Sequence, residues 1–195
     1  MTAPGIEEAD RLAMLRLAGG QEAALDELMD RHGEHLFHFL IRALQDESDA
    51  ADLAQETFVR IYRNRASYDP RQKFTTWMYA IASNLVRDRY RWRSRHPQVS
   101  LDAENDQTES SLKENLPSAG LAPDQNAMGI ESAVAVRKAV AALPEELRQP
   151  LILAVYEGLP QAEIAKILKC SVKAVETRIY RARKQLRTAL GQWRE

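Results

Sequence analysis

Residues 94–129, "SRHPQVSLDAENDQTESSLKENLPSAGLAPDQNAMG", set the first limit on what this chain can fold into. The stretch is polar and acidic and carries prolines at 97, 117 and 123. It has too little apolar surface to offset the entropy lost on ordering, so it reads as a flexible linker. A core can then form only to either side of it. The chain is expected to hold an N-terminal domain over residues 1–93, a linker over 94–130 and a C-terminal domain over 131–195.

On both sides of that break the apolar residues recur every three or four positions, and no sustained alternation indicates strands. Ala, Leu, Glu, Arg and Gln are abundant, a mixture that favours helix. The expected fold is all-α: two small helical domains joined by an acidic linker. In the first, "QEAALDELMDRHGEHLFHFLIRAL" lines up Leu25, Leu28, Met29, His32, Leu36, Phe39, Leu40 and Ala43 on one stripe. "DESDAADLAQETFVRIYRN" follows, with Ser48 as its expected cap and Ala51, Leu53 or Ala54, Phe58, Ile61 and Tyr62 turned inward. "ASYDPRQKF" breaks the pattern at Asp-Pro, and "TTWMYAIASNLVRDRYRWRSR" closes the domain as a helix that is apolar early and basic late.

The formal net charge of −1 is a cancellation. Residues 1–59 hold thirteen acidic side chains against Arg11, Arg16, Arg31 and Arg42. Residues 60–95 hold ten Arg or Lys against Asp69 and Asp88. Residues 96–131 are acidic again, with Lys113 the sole cation, whereas residues 166–194 carry Glu176 as the sole acid. Two basic blocks imply two anion contacts, and the acidic front implies a different partner.

The second basic block contains "SVKAVETRIYRARKQLR", residues 171–187. Projected as a helix capped by Ser171, it places Val172, Val175, Ile179, Ala182 and Leu186 on one apolar seam. Lys173, Glu176, Thr177, Tyr180, Arg181 and Lys184 fall on another face. Before it, "PQAEIAKIL" supplies Ile164, Ala165, Ile167 and Leu168 at helical spacing, and the turn "KCS" joins the two. Gly158 and Pro160 mark a stop and a fresh start ahead of that pair. A short helix, a tight turn and a longer basic helix form a helix-turn-helix, whose second helix enters the DNA major groove. Cations there neutralise phosphates, and Arg can read guanine. Glu176 fits as an acceptor from cytosine N4 or as a group that orients a neighbouring cation.

The other basic block interleaves Phe74, Trp77, Tyr79, Tyr90 and Trp92 with Arg87, Arg89, Arg91, Arg93 and Arg95. Aromatic faces stack on unpaired bases while cations track the backbone, which suits DNA with its strands parted. For Trp77, a place in the helix core is at least as good a reading.

Catalytic chemistry finds no support. There is no glycine-rich phosphate loop, nucleophile elbow or matched acid–base pair, so no catalytic residue, no cofactor and no enzyme activity are expected. His32, His35 and His38 are spaced so that the three do not share one helix face, and "RHGEHLFH" is not a HExxH site. His32 reads instead as a core or contact residue. Cys170, the sole cysteine, reads as a small apolar plug in the turn rather than a redox-sensitive thiol. The acidic N-terminus and the lack of a long apolar run predict a cytoplasmic protein. A serine recombinase would need an α/β catalytic domain, and a one-component repressor would bind its operator unaided.

Together these segments resemble the bacterial sigma factors of the extracytoplasmic-function type, two-domain alternative sigma factors. "DAADLAQETFVRIYRN" is similar to the family segment that binds the clamp helices of the largest RNA polymerase subunit, which implies Asp49, Asp52, Gln55 and Glu56 as core-binding residues. "FTTWMYAIASNLVRDRYRWRSR" resembles the segment that recognises and melts the −10 element. That implies Phe74, Trp77, Asn84, Arg87, Arg89, Arg91 and Arg93 as DNA contacts, Asn84 at a base-reading position. "GLPQAEIAKILKCSVKAVETRIYRARKQL" resembles the helix-turn-helix that reads the −35 element, which implies Ser171, Lys173, Glu176, Thr177, Tyr180, Arg181 and Lys184.

The implied partners are the polymerase core (that clamp and the flap of the second-largest subunit), promoter DNA and an anti-sigma factor, membrane-anchored or free. A tether of about 35 residues reaches about 115 Å when stretched. Promoter elements some 25 base pairs apart need about 85 Å. Two positions depart from the family pattern: Pro160 stands where many relatives have a capping Ser, and Glu176 where several have a cation.

Overall fold

A computed structural model describes residues 4–96 and 123–191, and all regular structure among them is helical. Four helices build the first lobe: α1 (Pro4–Ala18), α2 (Ala23–Leu44), α3 (Glu47–Arg63) and α4 (Phe74–Arg95). Four more build the second: α5 (Pro123–Ala141), α6 (Glu145–Val155), α7 (Gln161–Leu168) and α8 (Val172–Ala189). A short 3₁₀ turn, Arg65–Ser67, leads into the Asp-Pro loop before α4. Most of the expected linker, residues 97–122, lies outside the described residues. Its far end differs from expectation, because α5 begins at Pro123, ahead of the boundary placed at 131.

The sequence stripe of α2 is largely the buried face: Leu28, His32, Leu36, Phe39, Leu40 and Ala43 are enclosed, joined by Ala24 and Leu44. Met29 is a correction, since it stands 42% exposed on the rim of that stripe. The cap of α3 is also corrected. Asp46, not Ser48, sits in extended backbone and accepts a hydrogen bond from the Asp49 amide at 2.8 Å. Along α3, Ala50, Leu53, Thr57, Phe58 and Ile61 face inward, whereas Ala51, expected inward, faces solvent. Gln45 breaks the chain between α2 and α3 by taking a left-handed conformation, φ 58°.

α1 was not foreseen. It buries Ala13, Met14 and Leu17 against the lobe, together with one acid, Asp10. Asp10 Oδ2 lies 2.8 Å from Nε2 of buried His32, and Arg31 Nε lies 3.1 Å from the other carboxylate oxygen. His32 is thus a core residue, its ring 5.2 Å from that of Phe74. Among the described residues no His/Cys/Asp/Glu group could hold a metal ion, and no helix is long and apolar enough to cross a membrane.

The lobes are packed together. The apolar core of α1–α4 runs on without a break into Ile152, Leu153, Ile164, Ala165, Ile167, Leu168, Val175 and Ile179. A smaller cluster of Leu143, Leu147, Leu151 and Ala182 holds α6 to α8. In this arrangement α7 lies on α4, and α5 and α6 lie on α2.

Candidate nucleic-acid and polymerase interfaces

The helix-turn-helix forms as its sequence demands. Pro160 occupies the cap position of α7 with no side-chain hydrogen bond, so nothing replaces the hydroxyl a serine would supply. Lys169 ends α7 in a left-handed conformation, φ 50°, and Ser171 then accepts from the Ala174 amide at 3.1 Å. Cys170 packs half-buried in that turn against the core, and an Arg178 guanidinium N–H reaches its sulfur at 3.6 Å. Val175, Ile179 and Ala182 anchor α8, with Leu186 half-buried; Val172 is 43% exposed and so does not belong to the seam.

The opposite side of α8 is open. Tyr180 is 69% exposed, and Ser171, Lys173, Glu176, Arg181 and Lys184 all face solvent, with Thr177 half-covered. Lys173 Nζ lies 2.9 Å from Glu176, so the one carboxylate on this face orients a cation. The Thr177 hydroxyl donates to the Lys173 carbonyl at 2.8 Å, which takes it partly out of service.

On α4 the arginines divide by partner. Arg89 and Arg93 reach across to the first turn of α3: Arg89 pairs with Asp49, and Arg93 bonds Asp49 at 2.6 Å and Asp46 at 2.9 Å. Two carboxylates at the positive end of α3 and two guanidiniums from α4 thus close one network. Arg91 and Arg95 are exposed, Arg91 lying 3.4 Å from Asp88 and Arg95 Nε donating to the Arg91 carbonyl at 3.2 Å. Arg87 donates to Asn84 Oδ1 at 3.3 Å, and Asn84 is half-buried. Trp92, 44% exposed, stacks on His96 with centroids 5.0 Å apart. Trp77 is half-buried and leans on Tyr68 at 5.3 Å.

Two expected contact residues are placed inside. Phe74 is 2% exposed and sits in the core beside His32, because it is the first residue of α4 and that turn faces inward. Asp49 is 9% exposed and is spent on the arginine network. The polymerase-facing candidates that remain accessible are Asp52 and Gln55, both exposed, and Glu56, which bonds Arg60 at 2.8 Å.

Sequence comparison assigns both halves. Residues 28–96 match the family model "Sigma-70 region 2", and residues 133–186 match "Sigma-70, region 4". SigW, an ECF RNA polymerase sigma factor of Bacillus subtilis, is 33% identical over 172 residues, covering 88% of this chain and 91% of SigW. The chain belongs to the ECF RNA polymerase sigma factors. The sigma factor CnrH of Cupriavidus metallidurans is 35% identical over 191 residues, 94% of this chain and 95% of CnrH. The solved structure of CnrH in complex with the cytosolic domain of CnrY superposes with a TM-score of 0.68 at 28% identity, covering 96% of this chain and 99% of that one. As a sigma factor the protein joins RNA polymerase core and directs it to promoter DNA.

Sequence reasoning missed the residues that join the two halves of this sigma factor. Arg148 is 8% exposed and forms no ion pair among the described residues; it donates to the carbonyls of Leu143, Ala141 and Ala43 and to the Tyr90 hydroxyl. Tyr79, 4% exposed, donates to Glu157 at 2.6 Å. Burial and then the Glu157 charge push the Tyr79 hydroxyl well above the ordinary tyrosine range. A charged residue between Leu147 and Leu151, on the apolar side of "EELRQPLIL", was the available signal for Arg148.

Proposed function

We propose that the sigma factor divides its work by lobe: residues 1–93 bind polymerase core and the −10 element, residues 131–195 bind the −35 element, and residues 94–130 connect them. Core docking runs through Asp52, Gln55 and Glu56 on α3, whose acidic face suits a basic polymerase surface. Asp49 acts behind them, fixing α3 to α4 through Arg89 and Arg93. On α4, Asn84, Arg87, Arg91, Trp77 and Trp92 meet the −10 strand. On α8, Lys173, Glu176, Tyr180, Arg181 and Lys184 read the −35 duplex, and Ser171 holds the helix start.

The observation that carries this reading is α8 itself, a helix with one face sealed by Val175, Ile179 and Ala182 and the other lined with unburied cations. Such a face suits the major groove, where phosphate contacts position and base contacts specify. An anti-sigma factor completes the proposal; the structure of the relative CnrH in complex with the cytosolic domain of CnrY supports it. Reconstitution with core polymerase tests the whole. Run-off transcription from promoters selected with the purified holoenzyme is expected, and loss of those products on Arg181→Ala with Lys184→Ala. Initiation that is indifferent to α8 substitutions would refute the −35 assignment.

A further inference from the structure

One carboxylate stands among the cations of α8. Between residues 166 and 194 Glu176 is the only acid, and it is exposed. DNA phosphates repel a carboxylate there unless a base edge offers it a donor. Helix stability does not account for it. An exposed ion pair three residues apart adds little to a helix already capped by Ser171 and seated by Val175, Ile179 and Ala182. Its partner is defined: Lys173 Nζ donates to Glu176 Oε2 at 2.9 Å. That leaves Oε1 without a partner among the described residues, and the ammonium keeps two N–H groups to give. Both side chains lie in the first two turns of α8, the part of a recognition helix that meets base edges.

Seen from the major groove, every base pair sets an amino group beside a carbonyl oxygen. The two are hydrogen-bonded to each other and so lie about 2.9 Å apart. Lys173 and Glu176 present the complement, a donor and an acceptor at the same spacing. What flanks each half then decides between base pairs. In G·C, guanine O6 is flanked by N7, a second acceptor for the ammonium, and cytosine N4 by a ring C–H that does not oppose a carboxylate. In A·T, adenine N6 is flanked by N7, whose lone pair repels the carboxylate, and thymine O4 by a methyl that offers the ammonium nothing. Turning either pair round sets the ammonium against an amino group and the carboxylate against a carbonyl. Repulsion therefore rejects three of the four arrangements, wholly or in part.

We propose that Lys173 and Glu176 read one base pair together: the ammonium takes O6 and N7 of a guanine, and the carboxylate takes N4 of the paired cytosine. The −35 element of this sigma factor then holds one G·C pair in a fixed orientation. The inference rests on the assignment of α8 to the −35 element and adds which base pair is read there.

The test uses holoenzyme reconstituted from core polymerase and the full chain, unmodified or as Lys173→Ala or Glu176→Ala. Circular dichroism first checks that each chain is helical. Each holoenzyme then selects duplexes randomised over the −35 region. The unmodified chain should retain one G·C pair, and both variants should accept any pair at that position. N4-methylcytosine still pairs with guanine but turns a methyl outward in place of the N–H. Placed at that cytosine, it should weaken the unmodified holoenzyme about tenfold and leave Glu176→Ala indifferent. Replacing the guanine by 7-deazaguanine, which lacks N7, should weaken the unmodified form about threefold and leave Lys173→Ala indifferent. A selected element in which no G·C pair depends on residue 176 overturns the joint reading, as does a Glu176→Ala chain that still discriminates N4-methylcytosine. If Arg181→Ala with Lys184→Ala weakens binding in that case, the −35 assignment stands and only the Lys173–Glu176 reading falls. If that double variant binds as the unmodified chain does, the assignment of α8 falls and takes the pair with it.

Discussion

Arg148 donates to the main-chain carbonyl of Ala43 at 2.8 Å, so a guanidinium of the second lobe closes the carboxyl end of α2 in the first. The same group holds the carbonyls of Ala141 and Leu143 at the end of α5. Helix carboxyl ends carry partial negative charge and unpaired carbonyls, and a cation there is stabilised without any carboxylate. Replacing Arg148 with Met should leave the Ala141 and Leu143 carbonyls without that donor and Ala43 with the Tyr90 hydroxyl alone. A loss of about 3 kcal/mol is expected, lowering the thermal midpoint by about 6–12 °C in a chain of this size. Arg148→Lys keeps the charge but not the fork, and should fall between. Differential scanning calorimetry decides; a midpoint unchanged in Arg148→Met would remove the pin from the account.

Asp49 and Asp52 stand three positions apart on α3 and should fail in different ways. Asp49 is buried against Arg89 and Arg93, so Asp49→Ala strands Arg89, leaves Arg93 with Asp46 alone, and should cost about 2 kcal/mol of stability in urea denaturation. Asp52 is exposed and pairs with no side chain among the described residues. Asp52→Ala should shift stability by less than about 0.5 kcal/mol while weakening competition for core polymerase about 5- to 30-fold. If Asp52→Ala competed for core as well as the unmodified chain, the docking face would have to be sought elsewhere.

What could be read from sequence was what local spacing controls. α8 was legible because its cap, its three-and-four seam and its cations all lie within one helix. α1 was not, because Asp10 interrupts its buried face and breaks the amphipathic pattern; its partners, His32 and Arg31, lie on another helix. The start of α5 at Pro123 was hidden by a polar, acidic composition that reads as linker. Phe74 carried the composition of a stacking platform, yet only packing could show that the first turn of α4 faces inward. The pairs that join the lobes, Tyr79 with Glu157 and Lys73 with Glu163, lie far apart in the chain, and no periodicity links such positions.

The open face of α8 yields two separable effects. Tyr180 is the most exposed of the large apolar side chains, so Tyr180→Ala should leave stability within about 0.5 kcal/mol. Its loss from the −35 complex should nonetheless cost about tenfold in affinity. Lys184→Ala should weaken binding evenly across sequences and reduce the slope of log K against log salt by about 1. Fluorescence anisotropy at several salt concentrations measures both. A Lys184→Ala slope equal to that of the unmodified chain would mean that no phosphate is contacted there.

Alkali should loosen the seam between the lobes, where Tyr79 donates to Glu157 and Lys73 Nζ lies 3.1 Å from Glu163. Burial and the neighbouring Glu157 charge raise the Tyr79 pKa, and its hydrogen bonds to Glu7 and Glu163 raise that of Lys73. For Tyr79, the neutral form is the one held in the closed chain. Once released it ionises from about pH 10, so the contribution is complete below that pH and falls above it. Lys73 has the same sign: its contribution is whole below its ordinary value of 10.5 and is lost as pH rises through the higher value of the folded chain. Tyr68, which burial pushes up to about 12, adds a slope of the same sign within the first lobe that ends near that pH. The thermal midpoint should therefore hold steady near pH 8 and drop from about pH 10 upward, with expansion in solution scattering over the same range. Burial raises Tyr90 at the same seam as well, so Tyr79→Phe removes one of two tyrosine titrations there, and its midpoint should start lower but decline less steeply. A midpoint that stayed level to about pH 11 in the unmodified chain would show that neither group is held by the seam in solution.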